Sequence, residues 1–201
     1  MNSGKITGIV LAGGKSSRMG ENKSLMKLNG KTMIEFSIEA LSPLCEEVVI
    51  SSDHQVYDFT GCAVWPDEHK DQAPMVGIFS CLRKSKTDLN ILLTCDMPMV
   101  STELLEYLLA NSGESDITVP VQENGMVEPL CGIYKKGALD ILEKCIEEGN
   151  FRMTDCITRS SHRLVTIGGK SPFDRTNQFL NINTPRDFEA LNDILNTLKE
   201  Q

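Results

Sequence analysis

Short apolar runs alternate with helical patterns along the first half of this chain of 201 residues. Apolar runs of strand length, which predict buried strands, lie at Ile6–Leu11, Val48–Ser52, Ala63–Trp65 and Asn90–Thr94. One helix is predicted to begin at the Thr32–Glu35 capping box, and another from about Met75 to Lys84. This alternation predicts a Rossmann-like α/β fold, in which helices cover both faces of a mostly parallel, twisted sheet.

The second half of the chain has a less regular pattern. Ser101 is predicted to cap a helix rich in leucine. Strands are predicted at Asp116–Val119, Val127–Tyr134, Leu164–Ile167 and Phe179–Asn183, and helices at Ala138–Glu147, Arg152–Ile157 and from Pro185 onward. A hairpin-type turn at Glu123–Gly125 separates the first two of these strands. The chain contains no repeat, linker or low-complexity segment, so we expect a single domain over residues 1–201.

The composition is that of a globular protein, with 40% hydrophobic and 24% charged residues. No run of about 18 apolar residues occurs, which predicts that no helix spans a membrane. The sequence enters its first strand at Ile6 without the long apolar region of a signal peptide. We therefore expect a cytoplasmic protein.

Seven cysteines and three histidines limit the metal and redox chemistry of the chain. No two cysteines form a Cys-x-x-Cys pair, and their number is odd. This pattern argues against a disulfide framework and against a zinc site. We expect most of the cysteines to be reduced and buried.

Charge is distributed unevenly along the chain, whose formal net charge is −8. Residues 1–31 hold six basic residues and one acidic residue, whereas the remaining 170 residues hold 14 basic and 27 acidic ones. A nucleic acid needs many neutralising cations, which this acidic body does not offer. One basic segment on an acidic body suits a small polyanion such as a nucleoside triphosphate.

A glycine-rich loop follows the first predicted strand. From Leu11 to Lys23 it reads Leu-Ala-Gly-Gly-Lys-Ser-Ser-Arg-Met-Gly-Glu-Asn-Lys. Glycines let backbone N–H groups approach an anion closely, and Arg18 and Lys23 supply positive charge for a polyphosphate. The glycine spacing fits neither a Walker A loop nor the dinucleotide fingerprint G-x-G-x-x-G. The loop predicts a phosphate site of another kind, and the alternative is a solvated turn.

Polar residues at other strand ends are candidates for the same site. Asp96 follows the Asn90–Thr94 strand, and Asn181 and Asn183 lie in the last predicted strand. Ligands of open parallel sheets bind beyond the carboxyl ends of the strands. Asp96 is the best candidate ligand for Mg²⁺, which takes one or two carboxylates and otherwise phosphates and water. The alternative for Asp96 is a helix cap or a turn aspartate.

The Leu11–Lys23 segment resembles the signature LAGGxxxRMGxxK of the nucleotidyltransferases, and its Gly-Gly form is most similar to that of the molybdenum cofactor guanylyltransferases. The resemblance covers nearly the whole chain. It includes Pro74, Gly77, Thr94–Pro98, Glu128–Leu130, Arg152 and Asn181–Pro185. Ala73 and the pair Ser51 and Ser52 depart from the family pattern, which leaves the guanine and ribose contacts there less defined.

The resemblance implies a single nucleotidyltransferase domain that transfers GMP from GTP to the terminal phosphate of molybdopterin or the molybdenum cofactor, releasing pyrophosphate. It implies a nucleotide-binding half at about residues 1–100 and an acceptor-binding half at about 101–201. The implied GTP contacts are Leu11, Ala12, Gly13, Gly14, Lys23, Asp67 and Asp96, and the implied molybdopterin contacts are Arg152, Asn181 and Asn183. The implied catalytic residues are Arg18, Lys23 and Asp96, with Mg²⁺ on Asp96. Transient contact with molybdoenzymes or their chaperones is compatible with this role, whereas nucleic acid and membrane partners are not expected.

Such a transfer needs no nucleophilic side chain, because the terminal phosphate of the acceptor is already largely dianionic at neutral pH. Cys95 is adjacent to Asp96, but strand alternation predicts that the two side chains point to opposite faces. Two other functions stay open: a related nucleotidyltransferase that uses CTP or a sugar-phosphate acceptor, and a non-catalytic nucleotide-binding domain. For Asp67 and Arg152 the alternative is a solvated surface residue.

Overall fold

A seven-stranded sheet with helices on both faces forms the framework of the chain in a computed structural model. The structure describes residues 5–13, 22–67, 73–169, 171, 173 and 177–199. The strands are β1 (Ile6–Leu11), β2 (Lys27–Leu28), β3 (Lys31–Thr32), β4 (Glu47–Ser51), β5 (Ala63–Trp65), β6 (Leu89–Thr94), β7 (Ile117–Gln122), β8 (Cys131–Lys135) and β9 (His162–Ile167). The helices are α1 (Met33–Leu41), α2 (Pro74–Lys84), α3 (Thr102–Ala110), α4 (Leu139–Glu147), α5 (Met153–Arg159) and α6 (Pro185–Lys199).

The strand order in the large sheet is β5-β4-β1-β6-β8-β7-β9, and β2 and β3 form a separate hairpin. Parallel pairing joins β1 to β4 and β6, β4 to β5, and β7 to β9. Only β8 runs antiparallel to its neighbours in this sheet, β6 and β7. The predicted α/β fold with a mostly parallel sheet is therefore confirmed. Because β1 lies between two parallel neighbours, the carboxyl ends of β4, β1 and β6 meet at one edge.

The alternation of side chains along β1 explains why helices cover both faces. Val10 is completely buried in the core that also contains Ile34 of α1 and Leu104 of α3. Ile9 and Leu11 point the other way and pack in the core formed with α2, α4 and α5. Successive residues of a strand face opposite sides of the sheet, so an all-apolar strand needs a helix layer on each side.

The predicted strand at Phe179–Asn183 is wrong, because this segment forms turns and irregular backbone. Tertiary contacts bury the apolar side chains of Phe179 and Ile182, and these apolar residues give the segment the sequence pattern of a strand. The Asn183 N–H, which a strand would use for pairing, donates instead to the Asp187 carboxylate at 2.9 Å. This bond is the largest of the interactions that lower the pKa of Asp187. The segment is thus held by the start of α6 rather than by the sheet.

Two further elements differ from the prediction. The β2–β3 hairpin was not predicted, although its turn residues Asn29 (φ 53°) and Gly30 (φ 85°) are the pair that two-residue hairpins favour. The strand expected from Val127 begins only at Cys131. Pro129 has no N–H to donate to a ladder, which delays the start of β8.

Two further properties of the fold are the burial of its cysteines and the length of its helices. All seven cysteines lie in the described part of the chain as free thiols, and five of them are buried. None of the helices in the described part of the chain has the length and apolarity of a membrane-spanning segment.

We expect Gly132→Ala to lower the free energy of unfolding by about 1–3 kcal/mol. A Cβ at Gly132 would lie 2.5 Å from the Thr118 carbonyl oxygen of the neighbouring strand, so β7 and β8 would have to separate. Thr118→Val is the matched comparison and should raise the free energy of unfolding by about 1 kcal/mol, since the buried Thr118 hydroxyl has no hydrogen-bond partner among the described residues. Urea denaturation followed by circular dichroism measures both changes. A Gly132→Ala variant as stable as the wild type would contradict the close approach of the two strands.

Candidate functional site

The end of β1 is fixed between the ends of its two neighbours. The Ala12 N–H donates to the Ser51 carbonyl at 3.1 Å, and the Cys95 N–H donates to the Leu11 carbonyl at 3.1 Å. These bonds place Gly13 at the point just beyond the carboxyl end of β1, between the ends of β4 and β6. In open α/β sheets this point is where ligands bind.

A partly buried ammonium group joins three distant parts of the chain at this edge. Lys23 Nζ lies 2.9 Å from Asp96 Oδ2 and donates a hydrogen bond to Asn183 Oδ1 at 3.0 Å. The Lys23 side chain is 12% exposed and that of Asp96 is 29% exposed, so solvent screens the ion pair only in part. We call Lys23, Asp96 and Asn183 the Lys23 cluster. At this place an anion can pair with the Lys23 ammonium group, and a metal cation can bind the Asp96 carboxylate.

Backbone pairing holds the third member of the Lys23 cluster in place without a strand. The Ile182 N–H donates to the Asp96 carbonyl at 3.0 Å, which fixes the segment before α6 beside the end of β6. The wrong strand prediction therefore does not affect the prediction that Asn183 and Asp96 belong to one site. The structure brings these two residues together through the same ammonium group.

Tyr57 positions the segment that carries Lys23, a role that no sequence pattern predicted. Its side chain is completely buried, and its hydroxyl lies 2.9 Å from Ser24 Oγ. The same hydroxyl accepts from the Asn22 side chain at 3.3 Å and donates to the Ala12 carbonyl at 3.4 Å. Tyr57 thus links the return of the glycine-rich loop to the end of β1. It lies in an irregular segment without periodic pattern, so no local pattern points to it.

Asp67 and Ser51 form the flank of the site beside β4 and β5. The Ser51 hydroxyl donates to Asp67 Oδ1 at 3.1 Å, and burial raises the pKa of Asp67. Near the start of α2, a Cβ at Gly77 would lie 2.7 Å from Ser51 Oγ and 3.2 Å from Asp67 Oδ1. A glycine is therefore needed for this close packing. Ser51, one of the departures from the family pattern, supplies the hydroxyl that orients Asp67.

The other predicted site residues are not joined to the Lys23 cluster in the same way. Arg152 is exposed at the N-cap position of α5, and no contact in the described structure links its side chain to the Lys23 cluster. Asn181 is half-buried and lies next to Ile182 in the segment that contacts Asp96. Gly14 and Arg18 lie outside the residues that the structure describes.

The expected orientation of Cys95 is wrong. Its Sγ lies 3.6 Å from Asp96 Oδ1, so the two side chains contact each other. The alternation rule does not apply because β6 ends at Thr94 and the next two residues form a turn. Burial, with a further contribution from the charge of Asp96, raises the pKa of Cys95 well above its usual value. The group beside Asp96 is therefore a protonated thiol rather than a nucleophilic thiolate.

Comparisons with known proteins agree with this architecture. The model of the MobA-like NTP transferase domain family matches residues 8–163. A probable molybdenum cofactor guanylyltransferase of Flavobacterium johnsoniae is 35% identical over 188 residues, which cover 93% of this chain and 96% of that protein. A protein with the same name from Carboxydothermus hydrogenoformans is 32% identical and covers 97% of this chain and 98% of its own. The crystal structure of molybdopterin-guanine dinucleotide biosynthesis protein A from Archaeoglobus fulgidus has a TM-score of 0.81 at 28% identity, covering 95% of this chain and 99% of that one.

We expect iodoacetamide at pH 8 to modify Cys62 and to leave Cys95 unmodified in the folded protein. Cys62 is partly exposed, whereas Cys95 is buried with a pKa raised well above its usual value. Mass spectrometry after a timed reaction measures the modification at each site, and the same reaction in urea, where all thiols react, is the control. Rapid modification of Cys95 in the folded protein would contradict a protonated, protected thiol.

Proposed function

Because this chain belongs to the MobA-like NTP transferase domain family, we propose that it transfers GMP from GTP to the terminal phosphate of molybdopterin or the molybdenum cofactor, releasing pyrophosphate. The relatives named molybdenum cofactor guanylyltransferase match it over almost their whole length. The observation that carries the proposal is the Lys23 cluster at the end of a strand that opens into a glycine-rich loop. Catalysis of this kind consists mainly of aligning two anions and neutralising their charge.

The residues beside β1 are proposed to hold the triphosphate. The space beside Gly13 is open to a phosphate, since a Cβ there would meet no atom of the described residues nearer than the Ser51 carbonyl oxygen at 3.8 Å. Lys23 would pair with phosphate oxygens, and its low exposure strengthens such a pair. Arg18 is proposed to share this task on the basis of the loop sequence, as is Gly14 for the backbone contacts.

Asp96 is the proposed ligand of Mg²⁺. Its carboxylate is partly exposed at the site, and carboxylate oxygen is the donor that this ion prefers. No group of three or more metal-binding side chains occurs in the described part of the chain, so the remaining ligands would be phosphate oxygens and water. When bound, the ion would supply positive charge to the phosphates. Asp96 already contacts Lys23, so the residues that serve metal and phosphate are adjacent.

The flank formed by Ser51, Asp67 and Gly77 is proposed to bind guanine. The guanine base carries a ring N–H and an amino group side by side, and a carboxylate accepts hydrogen bonds from both. Ser51 orients Asp67 for this task. Leu11 and Ala12 would provide the neighbouring backbone and apolar surface.

The acceptor is proposed to approach from the side of Asn183. Asn183 and Asn181 would contact its phosphate, and the contact of Asn183 with Lys23 supports this assignment. Arg152 would reach the acceptor from the exposed N-cap of α5. The acceptor phosphate is itself the nucleophile, so no side chain has to form a covalent intermediate. The raised pKa of Cys95 agrees with this assignment.

Four further expectations remain proposals. The acidic body outside residues 1–31 makes nucleic acid an unsuitable partner, and a small polyanion suits the basic loop. We place the reaction in the cytoplasm. Transient contact with molybdoenzymes or their chaperones would deliver the product. Residues 1–100 would bind mainly the nucleotide, and residues 101–201 mainly the acceptor.

GTP with Mg²⁺ should stabilise the protein more than ATP, CTP or UTP. At a ligand concentration of 100 times Kd, the stabilisation should be about 2.7 kcal/mol. Thermal denaturation with each nucleotide measures the order of preference. Asp67→Asn should weaken the preference for GTP over ATP, and Asp58→Asn, which neutralises an exposed carboxylate in the same region, is the control. Equal shifts for all nucleotides, or a preference for CTP, would overturn the assignment of guanylyl transfer.

Asp96→Asn should slow GMP transfer by roughly 10²–10³-fold, if the loss resembles that of one strong electrostatic contact in an active site. The change keeps the size of the side chain but removes the charge that would hold Mg²⁺. Pyrophosphate release with GTP and molybdopterin over a Mg²⁺ titration measures the effect, and higher Mg²⁺ should restore part of the rate. Asp88→Asn is the matched control, because Asp88 is exposed at the opposite end of β6. An unchanged rate and Mg²⁺ dependence in Asp96→Asn would remove Asp96 from the reaction centre.

A further inference from the structure

Glu128 is the one buried carboxylate in the described part of the chain, with 5% of its surface exposed. It lies in the loop between β7 and β8, immediately before Pro129. Its backbone N–H donates to the Pro120 carbonyl at 3.0 Å, and its own carbonyl accepts from the Cys131 N–H at 3.3 Å. The backbone around Glu128 is therefore fixed, so the position of its side chain is defined.

The carboxylate of Glu128 has one hydrogen-bond partner in the described structure. Gln122 Nε2 donates to Oε1 at 2.5 Å, and no described Lys or Arg pairs with the group. Its second oxygen, Oε2, has no hydrogen-bond partner among the described residues but is accessible to solvent. Among the described side chains, Thr118 Oγ1 is the one polar atom that is both unpaired and fully shielded from solvent. The nearly buried carboxylate thus keeps Oε2 and the second lone pair of Oε1 for a further pair of donors.

Keeping such a carboxylate costs stability. Burial raises the pKa of Glu128, and no described cation offsets the loss of hydration. Gln122 would donate equally well to a neutral amide at this position, so the hydrogen bond alone does not require a charge. A charge that the fold does not need points to a ligand.

The loop that carries Glu128 lies at the same edge of the sheet as Asp96. The Thr94 N–H at the end of β6 donates to the Leu130 carbonyl at 2.9 Å, which places the Glu128 loop beside the turn that carries Asp96. In the sheet order, β8 and β7 lie on one side of β1 and β6, whereas β4, which carries Ser51, and β5, which precedes Asp67, lie on the other. Asp67 and Glu128 therefore lie on opposite flanks of the Lys23 cluster.

The two rings that the transfer reaction joins present the same hydrogen-bonding edge. Guanine and pterin each carry a ring N–H beside a 2-amino group, which match the two oxygens of a carboxylate. Resting on the guanylyl transfer proposed above, we propose that Glu128 binds the N–H and 2-amino edge of the acceptor's pterin ring and selects this ring as the acceptor. Asp67 serves guanine on one flank, and Glu128 serves the pterin on the other.

The test compares binding of free pterin and lumazine, which carries a carbonyl oxygen in place of the 2-amino group. Ligand fluorescence measures both affinities without GTP, metal or turnover. The wild type should bind pterin at least about tenfold more tightly than lumazine, since a good bidentate pair is worth at least about that factor in discrimination. Glu128→Gln should lose this preference and bind pterin about tenfold more weakly. Glu143→Gln, which neutralises an exposed glutamate of α4, should behave like the wild type.

A purely structural role for Glu128 predicts a different result. Glu128→Gln would then unfold at a lower temperature and would keep the preference for pterin over lumazine, which overturns the proposal. Glu128→Asp keeps the charge but shortens the side chain, and should also weaken pterin binding. If Glu128→Gln does not fold, wild-type pterin affinity in Glu128→Asp overturns the proposal.

Failure of this inference is distinguishable from failure of the proposed function. If the wild type shows no saturable pterin binding, or no preference over lumazine, the role of Glu128 is wrong, whereas the nucleotide preference and GMP transfer are measured separately. In the transfer assay, Glu128→Gln should raise the KM for molybdopterin about tenfold and leave the thermal shift with GTP unchanged. An equal rise in the KM for GTP would place Glu128 on the nucleotide instead and overturn the proposal.

Discussion

The ammonium group of Lys23 connects the loop after β1, the turn after β6 and the segment before α6. These three parts are more than 70 residues apart in sequence at each step, and the parallel pairing of β1 with β6 and the contact of Ile182 with Asp96 bring them together. The ion pair with Asp96 depends in turn on Tyr57, whose hydroxyl holds the segment around Ser24 against the end of β1. The geometry of the site therefore follows from the sheet and from a few hydrogen bonds at its edge.

The carboxylates on the two flanks of this cluster reduce the stability of the folded chain at neutral pH. The pKa values of Asp67 and Glu128 are raised in the folded state. At a pH between the unfolded-state and folded-state pKa of each group, the folded protein therefore binds more protons than the unfolded protein. The contribution of each group to stability therefore falls as pH rises through this interval. Sites that bind polar ligands commonly carry such a cost, because their charges are arranged for the ligand rather than for the fold.

Local sequence patterns predicted most of the framework and part of the site. The strand at Ile6–Leu11 and the Thr32 capping box were correct because each depends on neighbouring residues alone. Phe179–Asn183 was wrong because burial by tertiary contacts imitated the pattern of a strand. Tyr57 acts through contacts with residues that are distant in the sequence, and Glu128 acts through the loss of hydration on burial. Neither effect produces a periodic pattern in the sequence. The roles of Arg152 and Arg18 stay predictions from the resemblance.

The length and the side chains of the two outer strands of the sheet bear on aggregation. β5 has only three residues, and β9 begins with the exposed polar side chains of His162 and Arg163. Open strand edges carry unpaired N–H and carbonyl groups that can template pairing between molecules, and short or charged edges oppose it. Both edges of the sheet therefore carry features that oppose pairing with a strand of another molecule, which lowers the tendency to aggregate at high concentration.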